Sequence, residues 1–76
     1  MDKYYFDVVG DFAANDLMGV ELAGEDEAHK HAVYIAGRLA VEKPELVKPG
    51  NYVVVRDEAT YEVFRLPIAP HLQPVR

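Results

Sequence analysis

An α+β fold, one amphipathic helix on one face of a small antiparallel sheet of three to four strands in the order ββαββ, is predicted by three features of the sequence. Apolar residues recur at spacings of three and four between Gly24 and Pro44. Segments on both sides of that stretch alternate with period two and are rich in aromatic and β-branched residues. Gly, Pro, Asn and Asp gather between them, where the chain must turn.

The first strand is read at residues 3–9, closed by Gly10-Asp11. Tyr4, Phe6 and Val8 share one face and Tyr5, Asp7 and Val9 the other, which carries the charge and is expected to be the wetter side. Residues 10–19 mix Gly, Asp and Asn and suit a loop, with a turn at Asn15-Asp16. A short second strand at Val20–Leu22 then pairs with the first, turning Val20 and Leu22 inward and Glu21 to water.

Glu25, Asp26 and Glu27 open the helix where the positive end of its dipole favours carboxylates, and Gly24 serves as N-cap. Ala28, Ala32, Ile35, Ala36 and Leu39 form its apolar stripe. Pro44 forbids smooth continuation, so the helix is expected to span residues 25–42. Gly37 inside it is less favourable than Ala by about 1 kcal/mol and suggests close packing or a bend.

Pro49-Gly50 provides the fixed and the positive φ of a type II turn. The strongest strand pattern follows at residues 52–56, and residues 57–60 separate it from a last strand at 61–66. Phe64 and Leu66, with Ile68 next in the alternation, share one face of that strand, Tyr61, Val63 and Arg65 the other. Pro67, Pro70 and Pro74 argue against pairing beyond it. The organisation expected is a single domain over residues 1–66 and a proline-rich C-terminal tail over 67–76.

Composition narrows the function classes. The chain has 76 residues, no cysteine and a formal charge of −5. Lacking cysteine, it offers no thiolate catalysis, iron-sulfur ligation or sulfur-based zinc site, and it fits a reducing compartment, so a cytoplasmic location is expected. Met1-Asp2-Lys3-Tyr4 has neither the basic nor the apolar region of a secretory signal, and no apolar run approaches the ~20 residues that span a bilayer. The basic residues are scattered, so neither nucleic acid nor membrane is expected as a partner; a basic face could arise only if Arg38, Arg56 and Arg65 met in space.

Catalytic and ligand-binding constellations are hard to find. His29 and His31 lie about 200° apart on a helix, whereas a chelating pair needs a spacing of three or four. His29 has that spacing to Glu25 and Asp26, which is also the spacing of ordinary helix-surface ion pairs. His71 falls in the tail. There is no serine, and Thr60 sits in a turn without a neighbouring base. Asp57 with Glu58, or Asp7 with Glu21, are conceivable carboxylate pairs, and neither phosphate-loop glycine pattern is present. No enzyme activity, catalytic residue, cofactor or metal site is therefore assigned.

Tyr4-Tyr5-Phe6-Asp7, then Asp16-x-x-Gly19-Val20-Glu21-Leu22, then Glu27-Ala28 and finally Val53-x-Val55-x-Asp57 stand in a familiar order. The chain resembles, over residues 4–66, a family of short bacterial proteins of unknown function. That resemblance implies the same layout: an aromatic strand, an Asp-x-x-Gly-x-Glu segment, an Ala-rich helix and a closing hairpin. It implies no activity, cofactor or site residue. The family carries a Gly in its last turn where this chain has Ala59-Thr60.

One helix covers one sheet face, which leaves Tyr5, Val9, Tyr52, Tyr61 and Val63 as a candidate interaction face on the other side. The function expected is a non-enzymatic protein-binding or regulatory module, acting as a homodimer or with a protein partner. The alternative is a small-molecule-binding or enzymatic domain whose pocket, at the helix, the loop or a dimer interface, uses Asp7, Glu21 and His29. An acidic nucleic-acid mimic is a third reading, weakened by basic residues dispersed among the acidic ones.

Overall fold

A computed structural model describes residues 1–70 and contains β1 (Asp2–Val9), β2 (Val20–Leu22), α1 (Glu25–Glu42), a single 3-10 turn (Pro44–Leu46), β3 (Tyr52–Arg56) and β4 (Glu62–Pro67). The ββαββ order and the helix limits match the expectation. The four strands form one antiparallel sheet in the order β2-β1-β3-β4, so β1 lies inside the sheet and the helix carries the chain from one side of it to the other.

Register sets the two faces. Phe6 opposes Val55, which opposes Phe64, and Val8 opposes Val53, which opposes Leu66. These side chains, with Tyr4, Val20 and Leu22, meet α1 in the core. Val53 and Val55 are fully buried; each contributes roughly 1.5–3 kcal/mol. From the helix the buried residues are Ala28, Ala32, Ala36 and Ala40. This i,i+4 ridge of methyl groups lets the backbone approach the sheet closely, and Ile35 and Leu39, expected at the centre of the stripe, pack along its flank. Gly37 faces away: a Cβ built there meets nothing within 4 Å, so close packing is not the reason for this glycine.

A polar anchor closes the end of the sheet. Asn51 is buried; its Nδ2 donates to the Leu46 carbonyl (3.1 Å) and its Oδ1 accepts from Asp11 N–H (2.7 Å). Ile68 N–H donates to the Asn51 carbonyl (3.1 Å). Gly10, at φ +121°, comes so near that a Cβ there would lie 2.0 Å from Asn51 Oδ1. Through its side chain and its carbonyl, Asn51 thus joins the exit of β1, the 3-10 turn, the entry to β3 and the exit of β4.

Two details of the last strand differ from expectation. The strand is expected to end at residue 66, but β4 runs through Pro67, and Ile68 beyond it is buried at 2% exposure. A proline is tolerated there because β4 is an edge strand, where the missing N–H interrupts no internal ladder. Of the expected tail, residues 71–76, including His71, lie outside the described residues. The second difference is a β-bulge in β4. Val55 opposes Phe64 while Arg56 opposes Glu62, so Val63 is the extra residue and packs against the core instead of sharing a face with Tyr5. No helix among the described residues is long and apolar enough to cross a membrane.

Candidate functional site

The sheet face opposite α1 carries Tyr5, Asp7 and Val9 from β1 and Tyr52, Val54 and Arg56 from β3, with Arg65 opposing Val54 from β4. Three of the five residues expected to form an interaction face, Tyr5, Val9 and Tyr52, come together here, half-buried. Tyr61 is exposed in the turn before β4, and Val63 turns to the core. The face is less apolar than expected, because arginines lie over its rings: Arg56 is 4.9 Å from the Tyr5 centroid and Arg65 is 5.1 Å from that of Tyr52. Beneath them Val54 is buried.

At its centre is a charged cluster. Asp7 is only 7% exposed. Arg56 donates to it through Nε (2.6 Å) and Nη2 (3.2 Å), and Asp16 N–H donates to the same carboxylate at 2.9 Å. Arg56 Nη2 reaches on to the Asp16 carbonyl at 3.3 Å. Bonding to Asp7 raises the Arg56 pKa above its ordinary value against the opposing effect of burial. With both carboxylate oxygens engaged, Asp7 acts as a fixed link between strands and loop.

That loop, residues 10–19, is laced to the edge of β1 beyond the reach of β2. Val8 and Ala14 exchange both backbone hydrogen bonds, at 2.8 and 3.0 Å. Two residues earlier, Phe6 N–H donates to the Asp16 carboxylate at 3.1 Å, where a side chain stands in for a strand. The other Asp16 oxygen accepts Met18 and Gly19 N–H, each at 3.0 Å. Burial alone would push the Asp16 carboxyl up. The N–H groups of Gly19, Phe6 and Met18, with the Arg56 charge, outweigh it and hold the carboxyl below its ordinary value. Gly19 takes φ +74°, and a Cβ there would crowd the Lys3 and Tyr5 side chains at 2.8 to 3.0 Å. The Asp-x-x-Gly spacing therefore builds a tight turn against the face that carries Tyr5 and Arg56.

Between these two residues the turn displays Leu17 and Met18, which are 87% and 82% exposed. Sequence reasoning placed a turn at Asn15-Asp16 in this loop but assigned no role to Leu17 and Met18. Two large apolar residues inside an Asp-x-x-Gly turn, where neither can turn inward, were the available signal.

The other polar candidates are not assembled. Asp7 lies on the open face, whereas His29 stacks on Phe64 (5.5 Å between centroids) on the helix side, so the set Asp7, Glu21 and His29 shares no pocket. His31 meets Phe6 edge-on at 4.6 Å on the other flank of the helix. Arg38 bonds Tyr34 and Glu42 along α1, apart from Arg56 and Arg65, so no common basic face forms. Asp57 caps its own turn by accepting Ala59 and Tyr61 N–H (2.9 and 3.0 Å). Thr60 takes the left-handed conformation there, φ +67°, where the resemblance leads one to expect a glycine.

No curated protein and no solved structure matches the chain. A family model does match, over residues 3–69, which runs from the second residue of β1 past Ile68 and so includes the Asp16–Gly19 turn, the Asp7–Arg56 pair and the Asn51 anchor; the chain belongs to the family described as a domain of unknown function, DUF6894.

Proposed function

We propose that this protein is a small, non-enzymatic, intracellular protein-binding module that acts as a homodimer, and that it docks through the Leu17-Met18 tip and the adjoining sheet face with Tyr5 and Tyr52. The observation that carries this reading is the exposure of two consecutive large apolar side chains on a turn pinned by Asp16. A mobile loop that binds must first be ordered, at a cost of roughly 0.5–1.5 kcal/mol per side chain fixed. Here the backbone under the anchors is already held at both ends. Arginines stacked on tyrosines supply the residue types enriched at the centres of interfaces.

A second copy is the favoured occupant because a domain of this size buries little core, and association is a common remedy where disulfides are absent. Lack of cysteine also agrees with a reducing, intracellular setting. Sedimentation equilibrium over ten to several hundred micromolar tests the reading, with wild type beside a Leu17→Ser/Met18→Ser double variant. A wild-type dimer that the variant loses supports it. A wild type that stays monomeric, or a variant that dimerises equally, removes it.

A further inference from the structure

A shallow hollow of about 320 Å3 opens between the start of β1, the first turn of α1 and the β3–β4 turn. Four carboxylates line it, those of Asp2, Glu25, Asp57 and Glu58, against the single ammonium of Lys3. Among the described residues Asp2, Glu25, Glu58 and Lys3 form no ion pair, whereas Arg38, Arg56, Arg65, Lys30 and Lys48 each have an acidic partner elsewhere. The positive end of α1 offsets part of the Glu25 charge and none of the rest.

A second observation comes from Tyr4, which also lines the hollow. The residue is only 5% exposed, and its hydroxyl has no hydrogen-bond partner among the described residues. The ring is buried while the hydroxyl itself reaches solvent, since no fully buried side-chain oxygen or nitrogen among the described residues lacks a partner. Burial first, then the charges of Asp2, Glu25 and Asp57, raise its pKa above the ordinary value, so at neutral pH it is a phenol with free lone pairs. It can accept a bond from a cationic N–H.

We propose that this hollow binds an aliphatic di- or triamine, with one ammonium donating to the Tyr4 hydroxyl oxygen and the next held among Asp2, Glu25, Asp57 and Glu58. A metal ion is the poorer fit, because no three His, Asp or Glu side chains among the described residues are placed to hold one. The volume also exceeds what a single bare ion fills. Val63 and the Tyr4 ring give apolar walls for the methylene stem, as lysine stems use apolar surfaces in proteins. A surplus of three negative charges, four carboxylates against Lys3, calls for a ligand with more than one positive charge.

This site is independent of the docking tip, and its test uses the whole chain. Spermidine is titrated into 15N-labelled protein at low ionic strength while amide shifts are followed, with 1,6-hexanediol as the uncharged control. The expected result is saturable shifts confined to residues 2–4, 25–27 and 57–59, none with the diol, and weakening as salt is raised. Tyr4→Phe keeps the ring in the core and should bind about threefold to fivefold more weakly. Glu25→Gln/Glu58→Gln leaves the core untouched and should bind more weakly still, so the test stands even if Tyr4→Phe fails to fold. Non-saturating shifts spread over Glu42, Glu45 and Glu62 as well, or folded variants that bind as wild type does, would overturn the proposal.

Discussion

Removing either partner of the Asp7–Arg56 pair should destabilise the protein, and by unequal amounts. The pair lies between the surface and interior limits: the Arg56 side chain is 22% exposed and that of Asp7 10%. Exposed pairs contribute about 0.2–1 kcal/mol, whereas breaking a buried pair costs about 3–5 kcal/mol. Asp7→Ala leaves a guanidinium that can swing to water and still cover Tyr5, so a loss of about 2 kcal/mol is expected. Arg56→Met strands a carboxylate that retains only the Asp16 N–H, so about 3 kcal/mol is expected. A domain of this length has a total stability of about 4–11 kcal/mol, so both losses are a large share of it. Urea denaturation followed by circular dichroism reads them out; at an m-value near 1 kcal/mol/M the midpoints fall by about 2 and 3 M. The double variant should lose about 1–2 kcal/mol less than the sum of the singles. Additive losses, or Asp7→Ala costing more than Arg56→Met, would refute this account of which group is stranded.

Four further outcomes follow from single residues. The Asp16 carboxyl is held below its unfolded value, so its contribution is present above about pH 4 and lost as pH falls through the folded value; in that window the unfolded chain binds more protons and stability rises with pH. Asp16→Asn should therefore flatten the dependence of the urea midpoint on pH between about 5 and 2.5. Gly37→Ala should raise stability by about 0.5–1 kcal/mol because the helix gains propensity and nothing lies in the way, while Gly10→Ala should lower it by more than about 2 kcal/mol through a positive φ and the clash with Asn51; thermal melts of the two variants separate them. Thr60→Gly should stabilise by about 1 kcal/mol, since a β-branched residue is strained at positive φ, and an unchanged melting temperature would show that the turn relaxes around it.

Most of the layout is legible because local signals agreed. The alternation in β1 assigned Tyr4, Phe6 and Val8 to the core, and the acidic first turn and Pro44 bounded α1 within the limits observed. What escaped depended on partners far apart in sequence. The position of β1 between β2 and β3 follows from the crossover of the helix, which no residue announces. Val63 carries the same apolar pattern whether or not its strand is bulged, and only pairing with β3 shows that two residues of β4 share the space opposite one. Ile68 continues the alternation of Phe64 and Leu66, but what holds it to the core past Pro67 is the Asn51 carbonyl, seventeen residues away.

Asp16 shows why the candidate site was harder to read than the fold. In sequence it is one acidic residue among thirteen, in a segment whose composition suggests only a turn. In the structure its side chain supplies the edge of β1 with the acceptor that a longer β2 would have provided, while its backbone completes the Asp7–Arg56 cluster. A longer β2 would satisfy Phe6 equally well but would leave no turn free at this point. Using a carboxylate in place of a strand ends the sheet early, and the residues so released, Leu17 and Met18, are those displayed to solvent. The shortness of β2, three residues against eight in β1, is thus the structural condition for the exposed Leu17-Met18 tip.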